Sequence, residues 1–374
     1  MFSFALYPDR QHDNGDGLNF VTRSLVISID AMGGDHGPST TIPGLALAVQ
    51  KSKDSLTFII HGDEALIGPE LARHPELAGR FEVRHTDKVI ASDEKPANAV
   101  RRGRGASMWN AVESVKTGEA NAAVSCGNTG GLMAISRLIL RMSVDVERPP
   151  LVVSWPGRKG VSTVLDAGAN IDCDAERLVE FAIMGEAFHR AAHGVARPTV
   201  GILNVGSEDV KGHEEVRLAH AILKSGKFDI DYHGFVEGDD LSKNTVDVVV
   251  TDGFTGNVAL KTAEGTASYI VEELRTALTS SLGAKLGALL ARPALRIFRD
   301  KMNPPPAAPL LGLNGLVVKC HGGADARDFG QSIGLAIDLA KSDFAAEIER
   351  NMTRLTAAME AAPADAVEES SGDA

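Results

Sequence analysis

The stretch LVISIDAMGGDHGP (residues 25–38) runs from a short apolar strand through a glycine turn to a proline suited to opening a helix. Asp30 ends the apolar run, Gly33-Gly34 permits backbone conformations closed to other residues, and Pro38 sits at a first helical position. The same succession recurs along the chain. Apolar runs end in small polar, glycine-bearing clusters at 61–63 (HGD), 125–130 (SCGNTG), 165–170 (LDAGAN), 203–208 (LNVGSE), 251–257 (TDGFTGN) and 319–323 (KCHGG).

Continuous apolar runs are what strands covered by helices on both faces look like. They predict strands at Leu25–Asp30, Leu56–His61, Ala122–Cys126, Val161–Asp166, Val200–Asn204, Val246–Thr251 and Leu316–Lys319. Phe81–His85 and Ile230–Val236 read as extra strands, the latter antiparallel or at an edge. Helix-length stretches lie between them, at about 39–52, 97–117, 129–142, 174–192, 209–225, 257–281 and 325–360. The alternation predicts an α/β protein with a doubly wound, mostly parallel sheet in three α/β/α layers. In such sheets ligands bind beyond the carboxyl ends of the strands. Seven strands delivering Gly, Asp, Asn and hydroxyl groups to one rim predict a large polar site for a phosphate-bearing molecule.

The 374 residues suffice for one large α/β domain or two smaller ones. With aromatics at 5%, the core must be built from Val, Ile, Leu and Ala. A net charge of −12 argues against nonspecific nucleic-acid binding. Cys126, Cys173 and Cys320 are far apart and form no metal-ligand spacing, which points to a reducing cytoplasm rather than a disulfide frame. No apolar run approaches the roughly 20 residues of a membrane span, and MFSFALYPDR does not read as a signal peptide. Residues 1–23 are expected to be an extension, 24–345 the α/β domain, and 346–374 the end of a helix followed by a disordered acidic tail.

Residues 278–302 break the alternation and read as two short amphipathic helices interrupted near Pro293. Leu282, Leu286, Leu289 and Leu290 make one apolar stripe, Leu295, Ile297 and Phe298 another patch. Lys285, Arg292, Arg296, Arg299 and Lys301 oppose the single acid Asp300. Such a segment suits a dimer interface, contact with anionic lipid, or both.

Several rim residues offer chemistry. The backbone at Gly33-Gly34, flanked by Asp35 and His36, resembles an anion nest, and Gly127-Asn128-Thr129-Gly130 opens a helix. Lys211 brings positive charge within NVGSEDVKG, and Lys261 lies one helical turn beyond Asn257. His321 is the best-placed imidazole for donating or shuttling a proton. Asp30, Asp166 and Asp252 end three strands, with Asn170, Asn204 and Gly253 beside them. Cys126 precedes a helix start, a position that lowers a thiol's pKa. Arg101, Arg102 and Arg104 form the densest basic patch. No compact metal-ligand motif is present. The patterns GxGxxG and GxxxxGK[ST] are also absent at the first turn, which counts against a dinucleotide or P-loop site.

The string IDAMGGDHGP (29–38) resembles the signature of the bacterial phosphate acyltransferases known as the PlsX family. The resemblance continues through SCGNTGGLMA (125–134), LDAGANIDC (165–173), ILNVGSEDVKG (202–212), VDVVVTDGFTGNVALKT (246–262) and LLGLNGLVVKCHG (310–322), covering about residues 24–345. Cys126 departs from it, standing where the family usually has a small Ala-type residue. The resemblance implies a fold similar to those of phosphotransacetylases and isopropylmalate dehydrogenases, a homodimer, and no cofactor or metal. It also implies conversion of acyl-[acyl carrier protein] and inorganic phosphate to acyl phosphate and free carrier, feeding a membrane glycerol-3-phosphate acyltransferase in phospholipid synthesis. On this reading the protein is cytoplasmic, with peripheral contact at the inner face of the plasma membrane.

The roles expected under this reaction are catalysis by His321, Lys211, Asp30 and Asn257. Phosphate or substrate binding falls to Gly33, Gly34, Asp35, His36, Gly127, Asn128, Thr129, Gly130, Asp166, Asn170, Asn204, Asp252, Gly253 and Lys261. Carrier docking falls to Arg101, Arg102 and Arg104. The competing readings are a nicotinamide-dependent dehydrogenase of similar fold and a non-catalytic membrane adaptor for the carrier protein.

Overall fold

The computed structural model describes residues 25–142, 148–226, 228–302 and 307–342, with positions 348, 350 and 353 beyond them. The expected extension at 1–23, nearly all of 346–374, and the side chains of Arg299, Asp300 and Lys301 lie outside the described residues.

The first half runs β1 (Leu25–Asp30), α1 (Pro38–Lys51), β2 (Leu56–Gly62), α2 (Glu64–Leu71), β3 (Phe81–His85), α3 (Pro96–Arg102), α4 (Ser107–Lys116), β4 (Ala122–Ser125) and α5 (Thr129–Leu140). It continues with β5 (Val153–Pro156), β6 (Val161–Leu165), α6 (Ala175–His193), β7 (Thr199–Leu203), α7 (Glu214–Lys224), β8 (Asp231–Val236), α8 (Asp240–Lys243) and β9 (Val248–Val250). The last elements are α9 (Gly253–Thr279), α10 (Leu282–Met302), β10 (Ala307–Pro309), β11 (Leu316–Cys320) and α11 (Ala326–Lys341).

The α/β class and the parallel strands are as expected, but the strands form two sheets rather than one. A six-stranded sheet has the order β10-β11-β4-β1-β2-β3, and a five-stranded sheet the order β5-β6-β9-β7-β8. Every neighbouring pair is parallel except β10–β11 and β5–β6, which are antiparallel edges. The predicted single rim is therefore two rims. Apolar runs identify strands, whereas the partner of each strand is set by contacts remote in sequence. β8 lies at an edge, as one of the two options had it, and pairs parallel with β7.

The buried faces are Val, Ile, Leu and Ala, with Phe58, Phe181, Phe188 and Phe329 as fully enclosed large groups. Each such side chain contributes roughly 1.5–3 kcal/mol by leaving water. The helix expected over 97–117 is two helices. α3 ends at Gly103, where a Cβ would stand 2.2 Å from the Ala99 carbonyl oxygen, and Gly105 turns the chain with φ +84°. The helix expected from 209 starts only at Glu214, because 209–213 belong to the loop that Asn204 ties down through the Lys211 carbonyl.

α9 and α10 form a long helical hairpin joined at Ser280-Ser281. α10 passes through Pro293 as one helix, in place of the two short ones expected. Proline removes a single hydrogen bond, to the carbonyl of Leu289. At this surface, where Leu289 is exposed, water can take that carbonyl. Leu282, Leu286, Leu289 and Leu290 are all exposed, as are Tyr269, Ile270 and Val271 of α9. No helix among the described residues is long and apolar enough to cross a membrane.

Candidate active site

Three adjacent strands of the six-stranded sheet bring Asp30, Ser125 and Lys319 into one register row at their carboxyl ends. The Ser125 hydroxyl donates to Asp30 Oδ2 at 2.6 Å and accepts from the Gly127 N–H at 3.0 Å. Asp30 is buried, and its Oδ1 has no hydrogen-bond partner among the described residues. Burial pushes its carboxyl above the usual range, against the pull of the Ser107 and Ser125 hydroxyls and the backbone of Met32 and Gly33. Of these, only Ser125 meets hydrogen-bond geometry.

The turn after β1 is shaped by what would collide with a side chain. A Cβ at Gly33 would stand 2.6 Å from Asp30 Oδ2 and 2.7 Å from the Gly127 nitrogen. Gly34 has φ +85° and lies against Cys126. The carboxylate facing this turn is thus Asp30's own. The Asp35 N–H donates to the Gly322 carbonyl, tying the β1 loop to the β11 loop. Asp35 and His36 are themselves exposed, and the His36 carbonyl accepts from Ser39.

Asn128 caps α5 by accepting from the Gly131 N–H, and its amide donates to the carbonyls of Ala91, Ser92 and Glu94. Its side chain is engaged as a cap and a loop clamp. Gly130 packs close to Pro96. Thr129 remains exposed at the helix start. The thiol of Cys126 is raised, not lowered, by its hydrogen bond with Cys320 and by burial, which corrects the expectation drawn from its place before a helix.

His321 follows β11 and is exposed; its Nδ1 accepts from the Gly323 N–H at 3.1 Å. With Nδ1 accepting, a neutral ring carries its proton on Nε2, which is then a donor.

Lys319 is the residue that sequence reasoning overlooked. It is only 8% exposed and is the one buried lysine or arginine among the described residues. Its ammonium donates to the Cys320 carbonyl, and no described carboxylate lies within salt-bridge distance. Burial pulls its pKa down, opposed by the charges of Cys126, Cys320, Asp30 and Asp35. The string KCHGG was in view, but a lysine at a strand end ordinarily reads as solvated.

The second rim is organised by Asp166. Its two oxygens accept from the N–H groups of Leu151, Gly168, Ala169 and Asn170 and from the Asn170 amide, at 2.6–3.1 Å. The Asn170 carbonyl in turn accepts from the Gly253 N–H, where a Cβ would stand 2.5 Å away. Asp252 caps α9 through the Thr255 N–H and hydroxyl. Asn257, exposed on the first turns of α9, lies beside Gly168. Asn204 donates to the Gly206 and Lys211 carbonyls, and Lys211 pairs with Glu208 at 2.8 Å, which raises its pKa.

Two cavities adjoin these rims. One, of about 480 Å³, joins the sheets: Lys319, His321, Gly322 and Thr129 face Leu151–Ser154 and, from α9, Lys261 and Glu264. Lys261 pairs with Glu264 at 2.7 Å. Asp328, also at this wall, accepts from the Asp325 N–H in the capping box of α11. The other, of about 890 Å³, is mostly apolar and runs along α9 past Trp155, Leu203, Val216, Leu241 and Ala263, with Asn204 and Asp252 at its polar end. The structure therefore brings His321, Thr129 and Lys261 to one cavity and Asn204 and Asp252 to another. Arg101, Arg102 and Arg104 lie apart, exposed at the end of α3. Among the described residues no group of three or more His, Cys, Asp or Glu side chains is arranged to hold a metal.

A family model described as "Fatty acid synthesis protein" matches residues 25–347. A phosphate acyltransferase of Phenylobacterium zucineum is 66% identical over 92% of this chain and 99% of its own. One from Caulobacter vibrioides is 62% identical over 90% and 94%. Among solved structures, a phosphotransacetylase from Streptococcus pyogenes covers 85% of this chain and 94% of its own with a TM-score of 0.58 at 17% identity, a likeness of fold. The chain belongs to the fatty acid synthesis protein family, among the phosphate acyltransferases.

Proposed function

We propose that this chain transfers the acyl group of an acyl-[acyl carrier protein] to inorganic phosphate, releasing acyl phosphate and free carrier for glycerol-3-phosphate acylation. A phosphate oxygen attacks the thioester carbonyl, the C–S bond breaks, and the carrier thiolate leaves and takes up a proton. Near neutral pH phosphate is its own nucleophile, and a thiol of pKa near ~8.5 departs readily. The protein's task is then alignment, worth on the order of 7–11 kcal/mol, and stabilisation of the oxyanion, at roughly 3–4 kcal/mol per donor. The observation that carries this reading is the cavity between the sheets, which His321, Thr129, Lys261 and Lys319 all line. The apolar cavity along α9 suits an acyl chain. Enzyme-dependent acyl hydroxamate, above the thioester's own reaction with hydroxylamine, should form only when acyl carrier and phosphate are both supplied. Acyl label found covalently on the polypeptide during turnover would refute direct attack.

The carrier protein is acidic and so is this chain, so docking needs a local basic patch. Arg101 and Arg102 supply it. The double change Arg101→Glu/Arg102→Glu is expected to raise KM for the acyl carrier about 10-fold or more and leave KM for phosphate unmoved. An unchanged carrier KM would remove this patch from the interface.

The exposed leucines of α10 are the surface for a homodimer and for peripheral contact with the inner face of the plasma membrane, where product passes to the next acyltransferase. Leu286→Glu should lower the sedimentation mass to the monomer and reduce flotation with anionic vesicles. Wild-type behaviour in both assays would rule the stripe out.

A further inference from the structure

Resting on the reading of function above, we propose that Lys319 is the phosphate-binding cation, its buried ammonium held without a counter-ion so that the substrate dianion completes the charge balance in the cavity between the sheets. A buried charge is costly unless paired. Lys319 is 8% exposed, and among the described residues its ammonium bonds only a backbone carbonyl, that of Cys320. The other lysine at this cavity, Lys261, already pairs with Glu264, and Lys211 pairs with Glu208. Two of the amides near these turns are also engaged: Asp35 N–H holds the Gly322 carbonyl, and Gly127 N–H holds Ser125. Asp30, in the same register row, takes the Ser125 hydroxyl, and although the charges of Asp30 and Asp35 are felt at Lys319, neither carboxylate comes within salt-bridge distance of its ammonium. Lys319 is thus buried with no carboxylate in salt-bridge distance among the described residues, and it lines a cavity that Thr129 also lines. Phosphate, with acceptor oxygens and two negative charges, matches those donors.

The test compares Lys319→Met, Lys319→Arg and wild type in acyl phosphate formation, thermal melting and phosphate-dependent melting. Lys319→Met is expected to raise KM for phosphate about 10- to 100-fold, the range for losing a charged hydrogen bond, with KM for the acyl carrier within about twofold. Its melting temperature should equal or exceed that of wild type, because an unpaired buried charge has been removed, and added phosphate should no longer raise it. Lys319→Arg, which keeps the charge, should recover part of the phosphate response. A folded Lys319→Met with unchanged KM for phosphate overturns the assignment. Should Lys319→Met fail to fold, acetic anhydride labelling of wild type, mapped to Lys319 by mass spectrometry, decides the matter. Protection by phosphate but not by chloride of equal ionic strength supports the assignment, and equal labelling overturns it. Wild type that binds phosphate in these assays yet makes no acyl phosphate sinks the functional reading while leaving the Lys319 site standing.

Discussion

Asp166→Ala is expected to lower the free energy of unfolding by about 3–5 kcal/mol and to remove measurable turnover. One buried carboxylate serves five N–H donors, four on the backbone and one on Asn170. A lost acceptor leaves buried donors facing no partner, at roughly 1–3 kcal/mol each, less what water recovers. The damage spreads along the bonds: Asn170 positions Gly253 and so the start of α9, which carries Asn257 and Lys261. Asp166→Asn should cost less, because its amide oxygen keeps part of the acceptor set while its NH₂ confronts donors. Urea unfolding checks both variants. A loss below about 1 kcal/mol in Asp166→Ala would show that the loop is organised by something else.

His321→Ala is expected to reduce kcat about 100- to 1,000-fold, the range for removing one donor to a developing oxyanion. KM for each substrate should move by less than about threefold, because the bond strengthens only as charge builds in the transition state. The side chain is exposed and bonds only to its own turn, so the melting temperature should hold. His321→Gln distinguishes the roles: its amide can donate to an oxyanion but cannot shuttle a proton. Partial recovery in His321→Gln assigns electrostatic stabilisation, and no recovery assigns proton transfer. A kcat within a few fold of wild type in His321→Ala would move the chemistry to another group.

Much of this architecture is legible in the sequence. The covered strands announced themselves as continuous apolar runs, and Pro38 stands at a helix start for the physical reason expected of it. β5 and β10 were not legible: they are four and three residues long, each contains a proline, and each pairs antiparallel at an edge. The split into two sheets was not legible either, since periodicity carries no record of which strand a run will pair with. Among the candidate residues, type and place were read better than occupation. Asn128 and Asp252 look like ligands in sequence and are capping residues in space. Lys319 does not stand out in the sequence and is enclosed: Ala308 of the neighbouring β10 pairs with it, and the chain around Val152, far away along the polypeptide, lines the same cavity at the end of β11.

That closure passes through Leu151. Its N–H reaches Asp166, its carbonyl holds Ala167, and it bridges to Leu310 beside the first sheet. Leu151 therefore links the wall bearing Lys319 to the wall bearing Lys261. Neither half lines the slot alone, so its width follows how the one half packs upon the other.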